Sequence, residues 1–180
     1  MCQNRSGEDF TFSRLERITM AATTDQLKLQ LHNARATGIF ALLQAGASQA
    51  GLPLAFVLAI GSRETNLTNE LGDGGHGHGV LQIDDRYHSI ARDCDIHADC
   101  AKLINYGCNM LAQNEQWAKR QWPAFTDAQH LKIAASAYNA GEDGAGRGVV
   151  AGDADLHTTG GNYGADVMCR KAIFEELLKL

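Results

Sequence analysis

The chain has 180 residues, which suits one domain because single hydrophobic cores are typically built from roughly 100–200 residues. Apolar residues make up 44% of the chain and charged residues 21%, the usual proportions of a globular protein. The net charge of −5 offers no general attraction for nucleic acid. The longest apolar run, residues 52–60, is far shorter than the ~20 residues of a membrane helix. We therefore expect a monomeric domain that neither binds nucleic acid nor spans a membrane.

Residues 1–22 are polar and mixed in charge, and they lack the apolar segment of a signal peptide. We predict an N-terminal extension over 1–22 and one domain over 23–180. The missing signal leaves three explanations open: removal of the signal, another export route, or a target that is brought to the protein.

The five cysteines are an odd number, so at least one of them is unpaired. Cys94 and Cys100 flank a short polar loop, and a disulfide between them and two free thiols are equally compatible with the sequence. Cys108 and Cys169 fit ordinary buried thiols on helices. No spacing matches a zinc site, and we expect neither a metal nor a cofactor.

The first helix is predicted by a capping box, in which Thr23 is followed three residues later by Gln26. Helical spacing then places an apolar set on one face, and Gly38 or Gly46 is expected to interrupt the helix. The members of that set are Leu27, Leu31, Ala34 and Gly38.

A second helix is predicted from Pro53, since proline is well tolerated in the first turn. Residues 54–60 are apolar on every side, which indicates a helix in the centre of the core. This buried helix ends in residues 61–64 and places the carboxyl group of Glu64 at its tip.

The following segment, residues 65–83, is rich in glycine and asparagine, with five glycines within eight positions. Such a composition predicts a functional loop or a small hairpin sheet, which we place near residues 72–87. These glycines are Gly72, Gly74, Gly75, Gly77 and Gly79.

Three further helices are predicted over about 99–118, from the capping box at Thr126 to a glycine stop at Gly141, and over about 162–178. Residues 142–161 between the last two are predicted to form a long loop. The fold class is therefore mainly α, of α+β type, a helical bundle around a buried central helix with a small β-hairpin or sheet. The inward positions predicted for the last helix are Ala165, Cys169, Ala172 and Phe174.

The sequence context of Glu64 suits a general acid, because burial disfavours the carboxylate and raises the pKa of a carboxylic acid. The simpler alternative is a helix-end glutamate that pairs with Arg63. Asp73 in the glycine-rich segment, and Asp84 and Asp85 after it, either aim carboxylates into a cleft or serve as ordinary turn residues. An acid and a base placed roughly 6.5–9.5 Å apart are the requirement of an inverting glycosidase.

Several motifs, which together cover roughly residues 45–175, resemble the core of goose-type lysozymes, glycoside hydrolase family 23. The resemblance rests on residues 62–65, 72–79, 82–88, 136–141 and 163–167, together with Arg170.

This resemblance implies an inverting hydrolase of the β-1,4 bond between N-acetylmuramic acid and N-acetylglucosamine in peptidoglycan. It implies that Glu64 is the general acid and that Asp73 and Asp84 hold or activate the attacking water. Two departures are visible: His76 and His78 replace an asparagine and an aromatic residue, and the spacer between Glu64 and Asp73 is short. The expected substrate-binding residues are Gln82, His88, Tyr138, Asn139 and Tyr163.

Two other groups have competing interpretations. Asp73, His76, His78 and His88 have the residue types of a zinc or nickel site, but their spacing matches no established pattern. Trp117 and Trp122 either stack on sugars or pack a helix end, and packing is the commoner role.

Two other activities fit the same residues. A lytic transglycosylase uses the substrate's own acetamido group and needs no base for water, so the pair Asp73 and Asp84 favours hydrolysis. A non-catalytic glycan-binding module needs no acid, which the presence of Glu64 disfavours.

The expected partners follow from the same resemblance. They are peptidoglycan or a chitin-like oligosaccharide and, in some biological settings, a protein inhibitor of lysozymes or an immunity protein. The expected site of action is extracellular or periplasmic.

Overall fold

The computed structural model describes residues 22–179, so the predicted N-terminal extension over 1–22 lies outside the described residues except for its last position. Within the described range the chain is mainly helical, as predicted, with one small sheet. Two short 3₁₀ turns, Asp73–Gly75 and Thr159–Gly161, accompany these elements. The helices are α1 (Thr24–Ala36), α2 (Ile39–Ala50), α3 (Leu54–Thr65), α4 (Ser89–Arg92), α5 (Cys100–Gln121), α6 (Asp127–Val150) and α7 (Tyr163–Leu177), and the strands are β1 (Leu71–Gly72), β2 (Gly77–His78) and β3 (Ile83–Asp84).

Helices α1 and α2 confirm the predicted start and the predicted interruption. The Thr23 N–H donates to Gln26 Oε1 at 2.8 Å, and the Gln26 N–H donates to Thr23 Oγ1 at 3.3 Å. Gly38 adopts φ 80° and separates the two helices, a conformation that glycine accepts without steric cost. Gly46 stays helical; a Cβ there would lie 3.0 Å from Cys108 Sγ, so this glycine lets α2 approach α5 closely.

Helix α3 runs through the centre of the main core, as its apolar sequence predicts. Phe56, Leu58 and Ile60 are fully buried, and the helix packs against α2 and α7. Pro53 stands immediately before the helix as its N-cap, where its missing N–H costs no hydrogen bond. The core therefore fixes the direction of α3 and with it the position of the residues at its C-terminal end.

The three strands form an antiparallel sheet in the order β1-β2-β3, within the region where a small sheet was predicted. Gly72 pairs with Gly77, and Gly77 pairs with Asp84. The amide of Gln82 lies over both glycines, and a Cβ at either position would collide with its Oε1. The glycines are thus needed for close packing of a side chain across the sheet.

Helix α6 begins at the predicted capping box, in which the Gln129 N–H donates to Thr126 Oγ1 at 3.3 Å. The predicted loop over 142–161 is partly wrong, because residues 142–150 are helical. Gly141, at φ 73° and ψ 161°, kinks the chain instead of ending the helix. The second segment is held by close contacts: a Cβ at Gly148 would lie 2.5 Å from the backbone oxygen of Asp153.

Removing the α6 cap has a predictable cost. We expect Thr126→Ala to lower the free energy of unfolding by about 1 kcal/mol, because the mutation leaves a first-turn N–H without its partner. Urea unfolding followed by circular dichroism measures this, with the exposed Thr68→Ala as the control. Equal midpoints for Thr126→Ala and Thr68→Ala would contradict the assignment of the cap.

The inward face of α7 differs in part from its prediction. Phe174 is buried as predicted, Ala165 and Cys169 are half-buried, and Ala172 is exposed, so the prediction for Ala172 is wrong. The observed face includes a charged residue, which a search for apolar spacing passes over. Its buried members are Tyr163, Gly164, Val167, Arg170 and Phe174.

The remaining structural expectations concern cysteines, tryptophans and membrane helices. Among the described residues, Cys94 and Cys100 are free thiols and not a disulfide. Trp117 and Trp122 pack edge to face, with ring centroids 5.3 Å apart, against a small apolar cluster, which confirms a packing role. No helix in residues 22–179 combines the length and the apolar character needed to cross a membrane.

Candidate active site

Glu64 occupies the last turn of α3 and is half-buried. The turn is fixed by its neighbour Thr65, whose hydroxyl lies 3.0 Å from the backbone oxygen of Val80. Burial raises the pKa of Glu64 above its usual value, and the hydrogen bond from Tyr163 and the charge of Arg63 offset only part of that increase. The carboxyl group therefore retains its proton to a higher pH than an exposed glutamate does.

Two tyrosines lie beside this acid, the buried Tyr163 and the half-buried Tyr138. The Tyr163 hydroxyl donates to Glu64 Oε1, and the Tyr138 hydroxyl donates to the backbone oxygen of Leu81 at 2.7 Å. Burial, followed by the negative charge of Glu64, raises the pKa of both tyrosines well above the usual value. Both hydroxyls thus remain protonated. That of Tyr163 donates to the carboxyl group of Glu64, and that of Tyr138 donates to the backbone of the segment that leads into β3.

A buried ionic network ties the end of α3 to α7. Arg170 Nε lies 2.8 Å from Asp166 Oδ2, and its Nη1 donates to Ser62 Oγ at 2.8 Å. Arg63 Nε lies 3.3 Å from the same Asp166 oxygen, and its guanidinium carbon lies 5.6 Å from the ring centroid of Tyr163. Arg63 is thus directed to Asp166, which argues against the simpler interpretation of Glu64 as the ion-pair partner of Arg63.

Asp73 and Asp84 are brought together by one guanidinium group. Arg86 Nη2 contacts Asp73 Oδ2 and lies 2.6 Å from Asp84 Oδ2, and Arg86 Nε donates to Asp84 Oδ1 at 2.9 Å. The hydrogen bonds of Arg86 hold the pKa of Asp84 below its usual value. The Asp73 side chain is 65% exposed and that of Asp84 is 25% exposed, so Asp84 is the more enclosed of the two.

The sequence did not single out Arg86 as the residue that joins these carboxylates. It stands inside a recognisable motif, two residues after Asp84, but only the fold of the sheet brings Asp73 to the same guanidinium. The only sequence signal for this role of Arg86 was its position directly after Asp84 and Asp85, and such a charged triplet is equally typical of a solvated turn.

Asp85 contacts two histidines and takes no part in the contacts of Asp73 and Asp84 with Arg86. Its Oδ1 lies 2.8 Å from His76 Nδ1 and its Oδ2 lies 3.3 Å from His78 Nε2. The hydrogen bonds of His76 and His78 hold the pKa of Asp85 below its usual value. In the described part of the chain, no cluster of three or more histidine, cysteine, aspartate or glutamate side chains has the geometry of a metal site.

The remaining predicted substrate-binding residues bond within the protein. Gln82, at φ 51°, donates from Nε2 to the backbone oxygen of Gly79 at 2.8 Å. Asn139 Oδ1 accepts the Thr159 N–H at 2.7 Å. These two amides brace the sheet and the segment before α7, respectively, so each has a structural role beside the predicted contact with substrate.

His88 likewise has a partner inside the protein. Its Nδ1 lies 3.0 Å from the Tyr106 hydroxyl, and the two rings meet edge to face. This contact fixes the ring of His88 against α5, directly before α4.

A buried central helix that ends in a half-buried carboxyl group, together with a small antiparallel sheet, is typical of a lysozyme-like domain. The comparisons with known families agree with this class. The family described as Lysozyme g matches residues 36–176, and the chain belongs to that family.

Several of the similar proteins carry the same family name, and one carries another. Lysozyme g of Gallus gallus is 33% identical over 126 residues, which are 68% of this chain and 56% of that relative. Lysozyme G of Dromaius novaehollandiae is 29% identical over 126 residues, 68% of this chain and 58% of that relative. A glycine, glutamate and proline-rich protein of Lottia gigantea is 32% identical over 136 residues, 71% of this chain and 32% of that relative. The chain thus spans little more than half the length of the lysozymes that it matches.

Proposed function

We propose that this chain hydrolyses the β-1,4 bond between N-acetylmuramic acid and N-acetylglucosamine in peptidoglycan, with inversion at the anomeric carbon. Glu64 is the general acid, and Asp84, with Asp73, positions the attacking water. The observation that carries the proposal is that two pKa values are shifted in opposite directions. Burial raises the pKa of Glu64, and the hydrogen bonds of Arg86 lower the pKa of Asp84. Carboxyl groups whose environments separate their pKa values in this way are suited to act as acid and base.

The proposed step uses the two kinds of carboxyl group in opposite roles. Tyr163 donates to Glu64 Oε1, which leaves Oε2 to carry the acidic proton. Glu64 transfers that proton to the glycosidic oxygen as the bond from the anomeric carbon to this oxygen breaks. A water molecule attacks the anomeric carbon from the opposite face and gives its proton to Asp84. The products are two sugar chains, and the added water supplies the new hydroxyl group at the anomeric carbon.

Product analysis tests the proposal against its closest rival. We expect digested peptidoglycan to give reducing muropeptides by mass spectrometry, and we expect proton NMR at early times to show the inverted anomer. A lytic transglycosylase gives anhydro-muropeptides that are lighter by one water molecule. Anhydro products, or retention of configuration, would exclude the inverting hydrolysis proposed here.

The pH profile of the reaction tests the role of Arg86. Asp84 must be ionised and Glu64 protonated, so activity falls as the pH drops through the lowered pKa of Asp84 and falls again as it rises through the raised pKa of Glu64. Arg86→Gln removes the main cause that lowers the pKa of Asp84. We therefore expect the acidic limb of kcat/KM to move to higher pH while the alkaline limb stays in place.

The matched control for this experiment is Arg120→Gln, which removes an exposed arginine at the end of α5. Its profile should coincide with that of the unmodified protein. An acidic limb that does not move in Arg86→Gln would show that Asp84 is not the group that titrates there.

The place of action and the partners follow from the substrate. Peptidoglycan lies outside the cytoplasmic membrane, so the proposed site of action is extracellular or periplasmic. Chitin-like oligosaccharides offer the same N-acetylglucosamine units and are proposed as slower substrates. A protein inhibitor or immunity protein and the monomeric state stay predictions.

A further inference from the structure

Asp155 is a deeply buried carboxylate, 1% exposed, that the proposed reaction does not use. Its Oδ1 accepts the Gly164 N–H at 2.6 Å and the Ser136 hydroxyl at 2.9 Å, and its Oδ2 accepts the Ala165 N–H at 2.8 Å. Lys132 Nζ lies 3.6 Å from Oδ2. Each of these partners is a hydrogen-bond donor or a cation, so both carboxyl oxygens of Asp155 are held by the surrounding chain.

The two backbone donors belong to the first turn of α7. Such N–H groups have no partner inside their own helix, and the residue before the helix, Asn162, makes no capping bond with its side chain. Asp155 therefore supplies the missing cap from the preceding segment. A carboxylate in this position is also favoured by the positive end of the helix dipole.

The same turn is pressed directly against α6. A Cβ at Gly164 would lie 2.5 Å from Ser136 Oγ, 2.8 Å from the Lys132 backbone oxygen and 2.9 Å from Asp155 Oδ1. The Tyr163 N–H donates to Thr158 Oγ1 at 3.3 Å, which further fixes the start of the helix. There is thus little freedom for the first turn of α7 as long as Asp155 is in place.

Tyr163 is the first residue of that turn, and its hydroxyl donates to Glu64. We propose that Asp155 is a positioning residue for catalysis: by capping α7 and joining it to α6, it holds the Tyr163 hydroxyl against the general acid. This inference rests on the proposed function of Glu64, and it assigns to Asp155 no contact with substrate.

The consequence appears in the pH profile. The ionisable groups that face Glu64 are Arg63 on its own helix, Tyr138 on α6 and Tyr163 on α7. Of these, Tyr163 donates a hydrogen bond to the carboxylate and so favours its ionised form. If Tyr163 moves away, the pKa of Glu64 rises further, and the alkaline limb of the activity profile moves to higher pH.

The test is Asp155→Asn, which keeps the shape of the side chain but removes its charge and one acceptor. We expect kcat to fall by about tenfold to a hundredfold, since small displacements of catalytic groups have effects of this size, with little change in KM. We expect the alkaline limb to move to higher pH, in the same direction as in Tyr163→Phe. In a protein that already carries Tyr163→Phe, Asp155→Asn should move this limb no further.

Asp153→Asn is the matched control, because Asp153 also contacts Lys132, at 3.3 Å, but is exposed and does not cap α7. Its asparagine oxygen still accepts the Asp155 N–H, which Asp153 Oδ1 accepts at 3.1 Å. The pH profile of this variant should equal that of the unmodified protein. If the alkaline limb moves equally in Asp153→Asn and Asp155→Asn, the capping role is wrong.

Ser136→Ala provides a milder second variant in case Asp155→Asn does not fold. It removes one donor to Asp155, and a smaller shift of the alkaline limb in the same direction is expected. An unmoved limb in folded Asp155→Asn, or in Ser136→Ala, overturns the inference. Full activity in Glu64→Gln would instead overturn the proposed function itself, so the two failures are distinguishable.

Discussion

Glu64→Gln is expected to lower kcat on purified peptidoglycan by about 10²–10⁴-fold, the usual contribution of a general acid. Glutamine has nearly the same shape and still accepts the hydrogen bond from Tyr163, but it has no acidic proton to transfer. Release of soluble muropeptides measures the loss of activity. Thermal unfolding followed by circular dichroism should show that the variant is folded.

Glu70→Gln is the matched control for this substitution, because Glu70 is an exposed glutamate in the segment that follows α3. We expect its activity to equal that of the unmodified protein. Unchanged activity in Glu64→Gln would remove the general acid from the proposal. Binding to peptidoglycan without cleavage, by both the unmodified protein and the variant, would favour the glycan-binding module.

Phe56→Ala is expected to lower the free energy of unfolding by about 3–5 kcal/mol, the usual cost of truncating a buried phenylalanine. Phe56 is 0% exposed in the first turn of α3, so its removal leaves a cavity in the core. Urea unfolding, measured by tryptophan fluorescence and by circular dichroism, gives the change. Because α3 carries Glu64 at its end, residual activity should also be lost at a lower temperature.

Phe40→Ala is the matched control, since Phe40 is only half-buried and lies under the guanidinium of Arg35, whose carbon is 5.0 Å from the ring centroid. Its loss of stability should be clearly smaller than that of Phe56→Ala. Equal losses for the two variants would contradict the central position of α3 in the core.

The amino-acid sequence determined the elements whose signals are local. Apolar residues on every side of 54–60 predict a helix in the core, and α3 is that helix. The pairs Thr23 with Gln26 and Thr126 with Gln129 predict helix starts, and both capping boxes form because their partners are only three residues apart. Glu64 was singled out in the same way, because it follows the apolar run 54–60 on the same helix, and its role as general acid stays a prediction.

Other features were decided by contacts between residues that are distant along the chain. Helix α6 continues beyond Gly141, and its second segment lies against α5, where a Cβ at Gly146 would be 3.6 Å from Cζ2 of Trp117. The buried face of α7 includes Arg170 because Asp166 and Ser62 bind its guanidinium, so a charged residue lies where apolar spacing alone predicts none.

The candidate active site likewise combines features with local sequence signals and features that depend on contacts between distant residues. The sequence predicted catalytic roles for Glu64, Asp73 and Asp84 from recognisable local motifs, and these roles stay predictions. The fold of the sheet then brought Asp73 to Arg86, which stands only two residues after Asp84, and the junction of α6 with α7 brought Asp155 to the turn that carries Tyr163. A local pattern fixes the kind of group that a residue offers, whereas hydrogen bonds and charges act through space. The burial of Glu64 and its bond from Tyr163, which shift its pKa in opposite directions, were therefore decided only by the tertiary structure.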